Sequence, residues 1–201
     1  MKLDPFYLIV DHPDWLERLL PLGVRLVQLR AKDKTQAELR QLVRRSRDLA
    51  QKHGARLIVN DFWRLAIEEG CDAVHLGQED LDGADVAAIR TAGVKLGIST
   101  HDEAELARAL ACRPDYIALG PIYPTVLKKM PWAPQGLARI ADWKKRIGPI
   151  PLVAIGGLTP ERAREVLDAG ADSAAVVTDI LLHADPEGRT RTWIDATRAT
   201  A

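Results

Sequence analysis

What most constrains this chain is a repeat: eight short apolar runs separated by stretches of helical pattern. The runs are FYLIV (6–10), RLVQL (25–29), RLIVN (56–60), DAVHLG (72–77), KLGIS (95–99), DYIALG (115–120), PLVAIGG (151–157) and SAAVVT (173–178). Most are continuously apolar, which suits strands covered on both faces, as in a parallel sheet flanked by helices. The segments between them supply the helices. TQAELRQLVRRSRDLAQKHG gathers Leu39, Leu42, Val43 and Leu49 near one face and arginines on the others. TPERAREVLDAG opens with Thr159 as a cap, Pro160 at the first helical position and Glu161 in the first turn, and Gly170 closes it. HDEAELARALAC and GADVAAIRTAG have the same character.

Alternating strands and helices predict an α/β chain with a parallel sheet and its helices outside. The strand count favours a closed (β/α)8 TIM barrel, one domain over residues 1–201. An open flavodoxin-like sheet needs about five strands and would leave the remaining runs unexplained. The chain is near the lower size limit of the barrel, so its loops must be short.

Lysine plus arginine (28) and aspartate plus glutamate (28) cancel, which removes any electrostatic case for nucleic acid or membrane lipid as a partner. Cys71 and Cys112 match no zinc or redox spacing and read as buried thiols. The apolar run in MKLDPFYLIVDHPD is too short for a signal peptide, and no segment approaches the length of a membrane span. The expected location is the cytoplasm.

Two successive runs stop at an acid-bearing polar cluster: Asn60-Asp61 after LIV, and Gln78-Glu79-Asp80 after AVHL. In such a barrel the C-terminal strand ends face one mouth, where the fold carries its chemistry. The second run ends in QLRAK, with Gln28, Arg30 and Lys32. The fifth ends in Ser99, Thr100 and His101, and the sixth leads into GPIYPTVLKKM with Thr125, Lys128 and Lys129. The seventh closes on Gly156-Gly157 and the eighth on Val177-Thr178. Arg30, Lys32 and Lys128 are cations suited to phosphate oxygens. Asp61 and Asp80 add two hard oxygen ligands of the kind magnesium takes beside a bound phosphate. Together these groups read as a site for a magnesium-bound diphosphate. IGGLTPERA, a glycine turn before a helix start, suggests a second anion site. His75 lies inside an apolar strand and reads as a packed core residue, while His12, His53 and His183 read as surface residues. His101 is closer to the mouth, but it also begins a helix.

The segments QLRAK, VNDFWRLAIEEGCDAVHLGQEDL, LGISTHDEAE, DYIALGPIYPT with its following lysines, and VAIGGLTPE resemble the thiamine-phosphate synthase family in order and spacing. The resemblance runs over about residues 6–182. It implies a (β/α)8 transferase of thiamine biosynthesis that uses Mg2+. The enzyme would join 4-amino-2-methyl-5-hydroxymethylpyrimidine diphosphate to a thiazole phosphate and release pyrophosphate. It further implies that Gln28, Arg30, Lys32 and Asn60 hold the pyrimidine diphosphate, joined by Ser99 and Lys128. Asp61 and Asp80 would carry the metal. Thr125, Gly157, Val177 and Thr178 would receive the thiazole phosphate. The implied partners are those small molecules, with a homo-oligomer left open.

Three positions depart from the family pattern. Leu127 stands where a second hydroxyl is expected, Asp179 adds a charge near the thiazole phosphate, and Trp132 occupies a loop expected to be polar. A tautomerase branch of the same fold relies on a histidine after the sixth strand, and GPIYPT has none. A non-catalytic phosphate-binding barrel is the other alternative.

Overall fold

The computed structural model describes residues 1–125 and 132–198. Leu127, Lys128 and Lys129 lie outside the described residues. Eight parallel strands close into a barrel in chain order: β1 (Phe6–Val10), β2 (Leu26–Leu29), β3 (Arg56–Asn60), β4 (Ala73–Leu76), β5 (Lys95–Thr100), β6 (Tyr116–Leu119), β7 (Leu152–Ile155) and β8 (Ser173–Val176). Closure is made by β8 pairing with β1, Phe6 opposite Ala174. Every apolar run of the sequence therefore contributes a strand.

The α-helices among the described residues are α1 (Pro13–Leu19), α2 (Gln36–Lys52), α3 (Trp63–Glu68), α4 (Gln78–Asp82), α5 (Val86–Thr91), α6 (Glu103–Ala111), α7 (Gly136–Ile147), α8 (Pro160–Asp168), α9 (Thr178–Leu181) and α10 (Pro186–Arg198). Their starts follow the sequence signals. Thr35 and Glu38 form a capping box on α2, and Thr159 caps α8 with Pro160 at its first position. Leu39, Val43, Ser46 and Ala50 make the buried face of α2.

Continuous apolar strands are needed because each face of the sheet has its own core. Leu8, Val27, Val74 and Ile117 pack outward against the helices. Tyr7, Leu26, Ile58, Tyr116 and Val153 fill the barrel interior. Trp193 of α10 stacks on Phe6 at 5.7 Å between ring centres, which seals the outer layer over β1.

Acids staple the N-terminal ends of strands. Asp115, just before β6, accepts the Leu96 N–H of β5 at 2.9 Å and pairs with Lys95. Asp172, just before β8, repeats this on Leu152 N of β7 at 2.8 Å and on Lys144 Nζ at 2.6 Å. Asp4, before β1, accepts Phe6 N and pairs with Arg198. Each carboxylate satisfies a strand-end N–H that the ladder leaves open.

Cys71 is buried, and burial pushes its thiol up to about 11. Cys112 is only half-buried, which corrects the expectation for that residue: it follows the last turn of α6, with one side open. Among the described residues no helix is long and apolar enough to cross a membrane.

Candidate active site

The strand alternation decides which side chains reach the mouth from inside. Leu26 and Gln28 of β2, Ile58 of β3, and Ala73 and His75 of β4 lie within the barrel. The pairing register sets Asn60 opposite His75, and His75 opposite Gly97 of β5. Asn60 is buried at the end of β3, while Arg30 is half-buried and Lys32 exposed just beyond β2. Arg30 N donates to Val10 O at 2.8 Å, which carries the β2 pairing one residue past its end.

Asp61 follows β3 directly and adopts a left-handed backbone, φ 66°. That conformation is uncommon outside glycine, although aspartate tolerates it better than most. It is fixed on both sides: Asp61 N donates to His75 O at 2.8 Å, and Trp63 N donates to Asp61 O at 3.0 Å. The turn brings the Asp61 carboxyl to that of Asp80, close enough for the pair to share a hydrogen bond. Asp80 is in the first turn of α4, where Oδ2 accepts Gly77 N at 3.3 Å. Glu79 beside it is exposed in the first turn of α4, a helix position and not a loop one.

Burial pushes the Asp61 carboxyl up to about 6, and the negative charge and hydrogen bond of Asp80 push in the same direction. Lys32 and Arg30 act on Asp61 with the opposite sign, so both cations lie within electrostatic reach of the acid pair. Arg30 also lowers the His75 pKa, behind the larger effect of burial, to about 4. The structure therefore brings Arg30, Lys32, Asp61 and Asp80 to one rim. Two half-buried carboxylates that repel each other beside two cations form a donor set fitting a hard divalent ion shared with phosphate oxygens.

Ser99 lies at the inward end of β5, half-buried, and its Oγ meets His75 Nε2 at 2.8 Å. Gln78 Nε2 reaches across from α4 to Ser99 O at 2.7 Å. His75 is buried as expected of a core histidine, yet it contacts a candidate substrate group. Tyr7 and Tyr116, which sequence reasoning passed over, complete its surroundings: His75 Nδ1 meets Tyr116 Oη at 2.8 Å. Gly97 of β5 makes room for the Tyr116 ring. A Cβ there would fall 2.0 Å from Tyr116 Cζ, so the ring needs glycine beneath it.

A second group assembles at the other side of the mouth. Gly157, at φ 66°, supports the segment after β6: a Cβ would lie 2.3 Å from Pro124 O and 2.8 Å from Tyr123 Cβ. Tyr123 N donates to Gly156 O at 3.0 Å, and Arg162 Nη1 donates to Gly157 O at 2.7 Å while covering the Tyr123 ring. Gly157 and the chain leading to Thr125 are thus packed together. Val177 and Thr178, half-buried after β8, begin the neighbouring short helix α9.

Asp179 is held by α10. Its carboxylate accepts Arg189 Nε at 2.7 Å, Arg189 Nη2 at 3.0 Å and Trp193 Nε1 at 2.7 Å, tying α9 to α10. Trp132 stacks on His101 with ring centres 4.0 Å apart, and Glu105 accepts from His101 N. The tryptophan is half-buried there, against a residue just before α6.

The family described as thiamine monophosphate synthase matches residues 6–180. The chain belongs to that family. It is 64% identical to the thiamine-phosphate synthase of Rhizobium etli over 197 residues, 98% of this chain and 97% of the relative. It is 52% identical to the Cronobacter sakazakii enzyme of the same name, over 94% of this chain and 90% of that one. Among solved structures, thiamine phosphate pyrophosphorylase from Pyrococcus furiosus superposes with a TM-score of 0.86 at 26% identity, covering 98% of this chain and 96% of the other. The 3-hexulose-6-phosphate synthase of Salmonella typhimurium, at 15% identity and TM-score 0.74, shares the barrel alone. As a member of the thiamine monophosphate synthase family, the chain is an enzyme, a transferase.

Proposed function

We propose that the protein is a thiamine-phosphate synthase. It joins 4-amino-2-methyl-5-hydroxymethylpyrimidine diphosphate to a thiazole phosphate and releases pyrophosphate. The observation that carries this reading is the rim where Arg30 and Lys32 oppose the Asp61–Asp80 pair. Such a rim serves a reaction whose charge builds on a departing diphosphate. Gln28, Asn60 and Ser99 hold the pyrimidine. Arg30, Lys32 and Lys128, the last of these outside the described residues, bind the diphosphate oxygens. Asp61 and Asp80 hold Mg2+, which when bound supplies charge neutralisation on the leaving group.

The C–O bond to the diphosphate breaks first, leaving a benzylic-type cation on the pyrimidine methylene that the amino-substituted ring stabilises. The thiazole nitrogen then attacks that carbon. Thr125, Gly157, Val177 and Thr178 fix the thiazole phosphate so that its nitrogen meets the cation. No side chain has to form a covalent bond; positioning and fixed charge do the work.

The test is pyrophosphate release with each substrate alone and with both. Release only when both are present, and dependent on magnesium, is the expected result. Tight binding of either substrate with no release would overturn the proposal in favour of a non-catalytic barrel.

A further inference from the structure

Five side chains form one hydrogen-bonded file through the barrel interior, from Gln28 on β2 to Ser99 on β5. Gln28 Nε2 donates to Tyr7 Oη at 2.7 Å, and Tyr7 Oη meets Tyr116 Oη at 3.1 Å. Tyr116 Oη meets His75 Nδ1 at 2.8 Å, and His75 Nε2 meets Ser99 Oγ at 2.8 Å. All but Ser99 are buried, with Tyr7 1% and Tyr116 0% exposed. Both tyrosine rings are held in place: Tyr116 stacks on the His75 ring and meets Tyr7 edge-on.

Counting protons along the file gives it a direction. Tyr7 Oη already receives the amide N–H of Gln28, so its own proton goes to Tyr116 Oη. Tyr116, now an acceptor, gives its proton to His75 Nδ1. That nitrogen is therefore bare, and the ring N–H is on Nε2, aimed at Ser99 Oγ. With the Gln28 amide nitrogen turned to Tyr7, the opposite polarity would give Tyr7 Oη two donors and leave its own proton without a partner in a buried interior, a costly arrangement.

We propose that His75 is a positioning residue: it donates from Nε2 to Ser99 Oγ, and this leaves the Ser99 hydroxyl proton as the donor offered to a hydrogen-bond acceptor of the pyrimidine substrate. The file thus ties two pyrimidine contacts, Gln28 and Ser99, into one hydrogen-bond polarity. The inference rests on the proposed role of Ser99 in holding that substrate.

The first test uses the unsubstituted protein without substrate: 15N-resolved NMR of the His75 ring. A proton on Nε2 and a bare Nδ1 are expected; a proton on Nδ1 would overturn the proposal. The second test compares His75→Gln, which keeps a donor at the Nε2 position, with His75→Asn, which does not. The Gln variant is expected to keep most of the kcat/KM for the pyrimidine diphosphate, and the Asn variant to lose about tenfold, the size of one aligned hydrogen bond. In a Ser99→Ala background the two variants should become equal, since the partner is gone. An equal loss for Gln and Asn with Ser99 present, or an undiminished gap without it, would overturn the proposal. Failure of the proposed reaction itself would appear separately, as an unsubstituted protein that releases no pyrophosphate.

Discussion

Acids stand at both ends of the barrel strands, and the two ends treat them in opposite ways. At the N-terminal ends, Asp115 and Asp172 each accept a strand N–H and pair with a lysine. At the C-terminal ends, Asp61 and Asp80 face each other, and burial together with like charge pushes Asp61 up to about 6. The same residue type is a staple at one end and a source of repulsion at the other. Repulsion of this kind lowers the stability of the empty protein and is kept where a ligand relieves it. The lower rim holds the barrel together, and the upper rim is set for chemistry.

The largest effect should follow from substitution on the upper rim. Asp80→Ala is expected to cut turnover by roughly a hundredfold or more, the scale for losing one charge-stabilising group. The protein should remain folded and, without magnesium, melt no lower than the unsubstituted chain. Steady-state pyrophosphate release and thermal melting check the two halves. Near-normal turnover at saturating magnesium would break the division between the rims.

Next in size are two pH effects of opposite sign, measured as urea midpoints in EDTA. The His75 pKa is lowered from 6.5 to about 4, so the unfolded chain binds a proton there that the folded chain refuses. Stability from a neutral His75 is present above pH 6.5 and is lost as pH falls toward 4, about 3 kcal/mol in all. Asp61 runs the other way: its pKa is raised from 3.8 to about 6, so the folded chain holds the proton more tightly. Its contribution is present below pH 3.8 and is lost as pH rises through 6, about 1 to 2 kcal/mol after allowance for solvent screening of a half-buried group. The slopes overlap and oppose each other in the unsubstituted protein. Asp61→Asn should therefore show a steeper rise of stability from pH 4.5 to 7, and His75→Gln a shallower one. Identical pH profiles for all three proteins would remove the electrostatic account of the upper rim.

Much of this was legible in the sequence, for a physical reason. A strand covered on both faces must be continuously apolar, so each of the eight runs declared itself, and the acids ending RLIVN and leading on from DAVHLG had only one rim to occupy. The buried file was not legible in the same way. Tyr7 and Tyr116 look like ordinary core aromatics, and nothing local to either indicates that their hydroxyls meet 109 residues apart in sequence. Such pairs are made by barrel closure, which brings β1 and β6 across one interior. Asp179 illustrates the reverse. Its charge beside a proposed phosphate contact suggested repulsion, and only the return of α10 supplies Arg189 and Trp193 as its partners.

On the lower rim, Asp172→Ala removes the acceptor of Leu152 N and the partner of Lys144. A loss of about 1 to 2 kcal/mol is expected, visible as a drop of several degrees in Tm, with kcat and KM unchanged. A fall in turnover comparable to that of Asp80→Ala would show that the two ends are not separable.

The smallest effect sharpens the boundary of the upper rim. Asp179 is next to Thr178, a proposed thiazole-phosphate contact, yet its charge is matched by a bidentate Arg189 and capped by Trp193. A neutralised carboxylate turned toward α10 exerts little repulsion on an anion at the mouth. Asp179→Asn should therefore leave the KM for thiazole phosphate within about twofold of its original value while lowering stability by about 1 kcal/mol through the weakened pair. If the charge instead opposed the phosphate, the same substitution would lower that KM severalfold, with the gain fading as salt is added. Measuring KM at two ionic strengths separates the outcomes, and a salt-sensitive improvement would move Asp179 into the mouth beside Asp61 and Asp80.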